Sequence, residues 1–99
     1  MSPDRRATRR ARIRFLTTAE GGRYSAPVSG VRPQLAIGSV STSCIVNFED
    51  PLAMPALGES IEARLTLMFP EEYRAAFSAL ASVKLFEGSK LVATGIFID

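Results

Sequence analysis

The strongest constraint on the fold is a strict two-residue alternation that runs from Ser60 to Phe69. Successive side chains of a β-strand point to opposite faces, so this alternation is typical of a strand with one face in a core. Pro70 ends the run. The residues expected on the buried face are Ile61, Ala63, Leu65, Leu67 and Phe69.

Several other segments also favour strands, because they are short, rich in β-branched and aromatic residues, and bounded by glycine or proline. In the first of them, Ile13, Phe15 and Thr17 share one face of an extended segment. Residues 87–90 predict a tight hairpin between the last two strands. The strands expected beside 60–69 cover residues 11–17, 34–39, 43–48, 83–86 and 91–98.

A short helical turn is expected immediately after the strand over 60–69. Pro70 suits the first turn of a helix, and the acidic Glu71 and Glu72 suit the positive end of the helix dipole. Tyr73, Phe77 and Leu80 follow at helical spacing and are expected to cover one end of a barrel as part of its core. Six strands and one helical turn predict an all-β domain, either an antiparallel sandwich or a small closed barrel.

The charge is distributed unevenly along the 99 residues. Residues 1–14 carry six arginines and one aspartate, which gives +5, whereas residues 15–99 carry six basic and nine acidic side chains, which gives −3. Because residues 1–10 show no apolar periodicity, we interpret them as a disordered basic arm and residues 11–99 as the domain. Such an arm could bind RNA phosphates without reading sequence, bind an acidic partner, or only solubilise the chain. The arm residues with this role would be Arg5, Arg6, Arg9 and Arg10.

The sequence lacks the residues that most catalytic chemistry requires. It has no histidine, and Cys44 is the only cysteine, so neither a metal site nor an activated thiol nor an intrachain disulfide is expected. No phosphate-binding glycine loop is present, so we expect no GTP site, no cofactor and no enzymatic activity. No apolar run approaches the roughly 20 residues that cross a bilayer, and no secretory signal is visible. These features favour a cytoplasmic protein with no membrane partner.

Four short motifs occur in an order that resembles one known domain. They are Glu20-Gly21-Gly22-Arg23, Gly30-Val31-Arg32-Pro33-Gln34, Met54-Pro55-Ala56-Leu57-Gly58-Glu59, and Glu87-Gly88 followed by Val92-Ala93-Thr94-Gly95. Over residues 12–99 the chain resembles the C-terminal β-barrel, the third domain, of bacterial elongation factor Tu. The resemblance implies a small six-stranded antiparallel barrel that is not a GTPase, that packs against other domains, and that helps to hold aminoacyl-tRNA.

The resemblance also implies an RNA-binding surface at five positions of this chain. Our first hypothesis is nevertheless a non-catalytic binding module for protein–protein contact, because barrels of this kind use their surfaces chiefly to pack against other domains. A translation-related module that binds structured, tRNA-like RNA is the alternative, and the oligomeric state is left open. The five positions are Arg23, Gln34, Ser43, Glu87 and Gly88.

Overall fold

The computed structural model describes residues 7–99, which form six strands, one α-helix and a single 3-10 turn. The predicted strands and the helix after Pro70 are all present. In chain order the elements are β1 (Thr8–Phe15), the 3-10 turn (Thr18–Glu20), β2 (Gln34–Ile37), β3 (Val40–Phe48), β4 (Ser60–Leu67), α1 (Pro70–Ala79), β5 (Ser82–Glu87) and β6 (Lys90–Phe97).

The six strands form one closed antiparallel barrel in the order β1-β4-β3-β2-β5-β6. The first and last strands close it, with Ala11 opposite Phe97 and Phe15 opposite Ala93. The prediction of an all-β, six-stranded antiparallel barrel with one short helix is confirmed. Of the two architectures compatible with the strand pattern, the structure is the barrel and not the sandwich.

Two hairpins use the same two-residue turn, a glycine followed by a serine. Gly38 and Gly88 take φ values of 62° and 64°, which residues with a side chain rarely adopt. Glycine in the first position suits the hairpin turns that match the twist of antiparallel strands. The turn at Gly38 lets β3 begin at Val40, three residues before the predicted start.

The strand directions give the barrel two different ends. At the helix end, β1, β3 and β5 begin, β2, β4 and β6 end, and α1 lies across the opening. The connections over 16–33 and 49–59 and the turn between β5 and β6 lie at the opposite end, the loop end. We use these two names below.

The inward-facing side chains fill the barrel, and α1 covers the helix end. Phe77 is only 1% exposed, and Tyr73 and Leu80 are partly buried against the core, as the helical spacing predicts. The largest fully buried side chains within the barrel are Phe15, Ile13, Leu35, Leu65, Leu85, Val46, Val83 and Val92.

β1 begins three residues before its predicted start, so the expectation of a disordered arm is wrong for residues 8–10. The Leu67 amide donates to the Ala7 carbonyl over 2.9 Å, and the hydroxyl oxygens of Thr8 and Thr66 lie 2.9 Å apart. The sequence conceals this strand because the inward positions before Ile13 carry alanine and arginine instead of large apolar residues. The remainder of the expected arm, residues 1–6 with Arg5 and Arg6, lies outside the described residues.

Arg9 occupies an inward position of β1 at the rim of the helix end. Its Nη1 donates to the carbonyl oxygens of Phe77 and Leu80, each over 2.7 Å, and its Nη2 lies 2.9 Å from Asp99 Oδ1. Its guanidinium carbon lies 3.9 Å from the centre of the Phe97 ring. Arg9 is therefore a packing residue that joins β1 to the end of α1 and to Asp99, two residues after β6, and it is not part of a free arm.

The outward arginines of β1 also have acidic partners within the barrel. Arg10 Nη2 lies 2.9 Å from Glu62 Oε1, and Arg14 Nη2 lies 2.9 Å from Glu20 Oε1. The basic beginning of the sequence and its acidic remainder thus compensate one another within the folded molecule. Further pairs join Arg10 to Glu49 over 3.3 Å, Arg12 to Glu62 over 3.3 Å and Arg64 to Glu49 over 3.7 Å.

Candidate functional site

Two of the five residues implied by the resemblance, Arg23 and Glu87, form an ion pair at the loop end. Arg23 Nη1 lies 2.6 Å from Glu87 Oε2, and the Arg23 side chain is only 20% exposed. Arg23 Nε also donates to the Ser25 carbonyl, and the Thr18 hydroxyl donates to the Arg23 carbonyl. These contacts fix the loop after the 3-10 turn against the end of β5, and they occupy much of the Arg23 guanidinium.

Two others, Gln34 and Ser43, pair across neighbouring strands. They are Cα partners on β2 and β3, and Gln34 Nε2 donates to Ser43 Oγ over 2.9 Å. On its other side Gln34 lies opposite Phe86 of β5. Gly88, the fifth residue, lies in the turn that follows β5. The structure therefore brings all five residues to neighbouring positions around β2 and the β5–β6 hairpin.

A shallow groove of about 300 Å³ runs over the outer surface beside these residues. Ala36, Ser41 and Gly88 contribute small surfaces to it, and half-buried Phe86 contributes an aromatic ring. A register shift in the β5–β6 pairing begins between Leu85 and Phe86. A flat or extended group could lie along this groove with one face against the Phe86 ring.

The basic residues near this groove differ from those of β1, because they lack acidic partners. Within the described part of the chain, Arg32, Lys84 and Lys90 form no ion pair. Lys90 Nζ instead lies 5.1 Å from the centre of the Tyr24 ring, within the range of a cation–π interaction. Arg32 precedes β2, and Lys84 faces outward two residues before Phe86. This side of the barrel therefore offers unpaired positive charge to a ligand.

The loop end also exposes apolar side chains that the sequence interpretation missed. Leu52 and Tyr24 are each 86% exposed, Met54 is 77% exposed, and Val28 is 54% exposed. Ser29 Oγ accepts a hydrogen bond from the Phe48 amide, which brings the loop that carries Val28 against the end of β3. The available signal was a proline-bounded loop whose apolar residues follow neither a strand nor a helix period.

Hydrogen bonds within residues 49–59 give the loop that carries Leu52 and Met54 a defined shape. Asp50 Oδ1 accepts a hydrogen bond from the Leu52 amide over 3.0 Å, and the Asp50 carbonyl oxygen accepts one from the Ala53 amide. Glu59 Oε1 accepts from the Ala56 amide. A loop organised in this way presents its apolar side chains with less loss of conformational entropy on binding than an unstructured one.

Cys44 is a core residue. It is fully buried in β3, and burial raises the pKa of its thiol to about 12. The described residues contain no cluster of three or more potential metal ligands. None of the helices in the described part of the chain has the length and apolar character needed to cross a bilayer.

Neither the comparison with protein-family models nor the comparison with curated proteins finds a match to this chain.

Proposed function

We propose that this chain is a non-catalytic binding module whose loop end contacts another protein. The observation that carries the proposal is the set of exposed apolar side chains on the two long loops at that end. Water-exposed apolar clusters mark protein interaction sites, and a few large side chains at the centre of an interface contribute most of its affinity. We call the four residues Tyr24, Val28, Leu52 and Met54 the loop-end patch.

The chemistry of the described residues supports a binding role more than a catalytic one. The Cys44 thiol is buried and its pKa is raised to about 12, so it is neither accessible nor ionised near neutral pH. We also place the module in a reducing compartment such as the cytoplasm, because its single cysteine is a buried free thiol. The resemblance to the third domain of elongation factor Tu agrees with packing against another protein domain.

Structured RNA is the second candidate, and the outer groove favours it. Phe86 could stack on a base, while Arg32, Lys84 and Lys90 could approach phosphates, a combination typical of sequence-tolerant RNA binding. The overall charge argues for the protein partner instead. The whole chain has twelve basic and ten acidic residues. Without Arg5, Arg6 and Asp4, ten basic and nine acidic residues remain, so the rest of the molecule is almost neutral.

A quantitative pull-down from native lysate, with and without ribonuclease, distinguishes the two candidates. We expect Leu52→Asp/Met54→Asp to weaken partner capture by roughly 30-fold, the effect of losing interface residues that contribute about 2 kcal/mol. Ribonuclease should leave capture unchanged. The matched control is Ile96→Asp, which places the same charge on an exposed apolar residue of β6, away from the loop end.

The opposite pattern would support RNA. Capture that is abolished by ribonuclease and by Arg32→Glu/Lys90→Glu, but that survives Leu52→Asp/Met54→Asp, would overturn the protein proposal. Circular dichroism of each variant confirms that the barrel is retained. In either case we expect no binding of GTP in isothermal titration.

A further inference from the structure

The basic residues of the barrel fall into two groups according to their partners. The arginines of β1 and β4 are all paired with carboxylates, at N–O distances from 2.9 Å to 3.7 Å. Within the described residues, Arg32, Lys84 and Lys90 have no acidic partner, and all three lie on or directly before β2, β5 and β6. This side of the molecule therefore carries positive charge that the barrel itself leaves uncompensated.

Two of these cations lie on either side of the Phe86 ring in the outer groove. Gln34 and Phe86 are Cα partners, and Arg32 shares the outward side of Gln34 because Pro33 between them is buried. Arg32 is thus displaced from Phe86 toward the loop end. Lys84 precedes Phe86 by two residues on β5, so it is displaced toward the helix end. Two residues of a strand span roughly 7 Å, which sets the spacing of each cation from the ring.

The third cation connects the outer groove to the loop-end patch. Lys90 directly follows Ser89, which lines the groove. Its Nζ lies 5.1 Å from the centre of the ring of Tyr24, a member of the patch. A partner bound to Tyr24 therefore lies next to the basic side of the barrel.

We propose that the outer groove binds an acidic, extended segment of the protein partner, an inference that rests on the proposed function. Side chains two positions apart in an extended segment lie on the same side, again with a spacing of roughly 7 Å. An apolar side chain placed against Phe86 thus positions the residues two before and two after it beside Arg32 and Lys84. Acidic residues at those two positions match the unpaired cations.

A polypeptide fits this combined surface better than a polynucleotide. The described part of this side offers three unpaired cations and one groove-lining aromatic ring, whereas sequence-independent RNA sites combine a continuous basic groove with aromatic rings for successive bases. The neighbouring patch is apolar, and an RNA backbone has no aliphatic side chains to cover it. Only a polypeptide supplies carboxylates and apolar side chains at adjacent positions.

NMR titration of the full-length protein with short probes tests the proposal. The acidic probe is acetyl-Glu-Glu-Leu-Glu-Glu-amide, and acetyl-Gln-Gln-Leu-Gln-Gln-amide is its neutral counterpart. A five-nucleotide oligouridylate without terminal phosphates carries the same negative charge as the acidic peptide. We expect the acidic peptide to shift the amide signals of Lys84, Phe86 and Gly88. It should bind roughly tenfold more tightly than the neutral peptide, the effect of two or three surface ion pairs, and more tightly than the RNA.

Two charge-removing variants locate the binding site. Lys84→Gln/Lys90→Gln should weaken binding of the acidic peptide by roughly fivefold to tenfold and leave binding of the neutral peptide unchanged. The matched control is Arg12→Gln/Arg64→Gln, which removes the same charge from β1 and β4, where both arginines already have glutamate partners. That control should leave the affinity for the acidic peptide within about twofold.

Three results would overturn the proposal. They are the absence of shifts around Phe86 at millimolar acidic peptide, equal binding of the neutral peptide, and tighter binding of the RNA, which would make the groove an RNA site. Failure of the proposed function gives a different result. If the acidic peptide does not bind but Leu52→Asp/Met54→Asp still weakens partner capture, the loop-end contact stands and only the role assigned to the groove is wrong.

Discussion

Arg9 shows how one residue can have a role that its sequence neighbours conceal. It lies among arginines that face solvent, yet its own side chain is only 17% exposed and contacts Phe77, Leu80, Phe97 and Asp99. The hydrogen bond from Arg9, more than their charge interaction, lowers the pKa of the Asp99 carboxyl group. This lowering links the stability of the barrel to pH.

We predict that Asp99→Asn destabilises the protein at neutral pH but not in strong acid. A carboxyl group with a lowered folded-state pKa stabilises fully above its unfolded pKa, about 3.9, and this contribution disappears as pH falls through the folded value. Urea unfolding should show a constant difference between wild type and variant from pH 7 to about pH 5. The difference should shrink toward pH 2–3. A difference that is equally large at pH 2–3 would mean that the ionised form is not the stabilising one.

Gly95 is a second residue whose role depends on distant neighbours. It lies in β6 between Ile13 of β1 and Val83 of β5. A Cβ at this position would collide with the Arg12 carbonyl oxygen and with Ile13. The close approach of β1 and β6 at the point of barrel closure therefore requires glycine.

We predict that Gly95→Ala destabilises the barrel by about 1–3 kcal/mol, the usual cost of adding volume to a packed site. Thermal unfolding followed by circular dichroism measures the effect. Thr94→Ala, on the half-exposed neighbouring position, is the control and should change stability by less than about 1 kcal/mol. Equal effects of the two substitutions would show that β1 and β6 can separate to accommodate a side chain.

At the scale of elements, α1 acts as a lid that the barrel holds at both ends. Phe77 enters the core, and its ring meets Phe97 edge-on with centroids 5.6 Å apart. Pro70 begins the helix, whereas its last turn contains no basic residue of its own. Arg9 supplies the missing cation from β1 by donating to the carbonyl oxygens of Phe77 and Leu80. Helix and barrel should therefore unfold together.

We predict that Arg9→Lys destabilises the protein by about 1–3 kcal/mol, since a lysine cannot reproduce the several hydrogen bonds of the guanidinium group. The matched control is Arg12→Lys on the same strand, where the side chain is 51% exposed. That substitution should change the free energy of unfolding by less than about 0.5 kcal/mol. Urea denaturation of both variants decides the point, and similar losses at positions 9 and 12 would contradict the assigned role of Arg9.

At the scale of the whole molecule, the barrel closes only when its first and last strands meet. β1 pairs with β4 on one side and β6 on the other, and the Ile98 amide donates to the Arg10 carbonyl. The same strand brings Arg9, Arg10 and Arg12 to acidic residues that lie 39 or more positions away in the chain. Loss of the first half of β1 would thus remove both backbone pairing and charge compensation.

We predict that deletion of residues 1–6 and deletion of residues 1–10 have very different effects. The shorter deletion should shift the melting temperature by no more than about 5 °C, because it removes no residue of β1. The longer deletion removes Thr8, Arg9 and Arg10 and should cost at least about 3 kcal/mol or prevent folding. Comparing the two by calorimetry tests whether β1 begins at Thr8. Equal stability of the two truncated proteins would instead support the interpretation of residues 1–10 as a disordered arm.

Several elements were predictable because their signals are local. The alternation before Pro70 specifies β4, and Pro70, Glu71 and Glu72 specify the beginning of α1. Successive residues of such a segment face either the core or the solvent. Their periodic pattern is therefore sufficient to identify the segment.

The remaining features depend on residues that are far apart in the chain. Arg9 and Asp99 are 90 positions apart, and Arg10 and Glu49 are 39 positions apart, so no local pattern could assign these arginines to a strand. The loop-end patch arises in the same way, since its members come from two loops that the strand order places at one end of the barrel. Strand pairing and charge compensation are interactions across space. The sequence supplied the partners, and the closed barrel determined which of them meet.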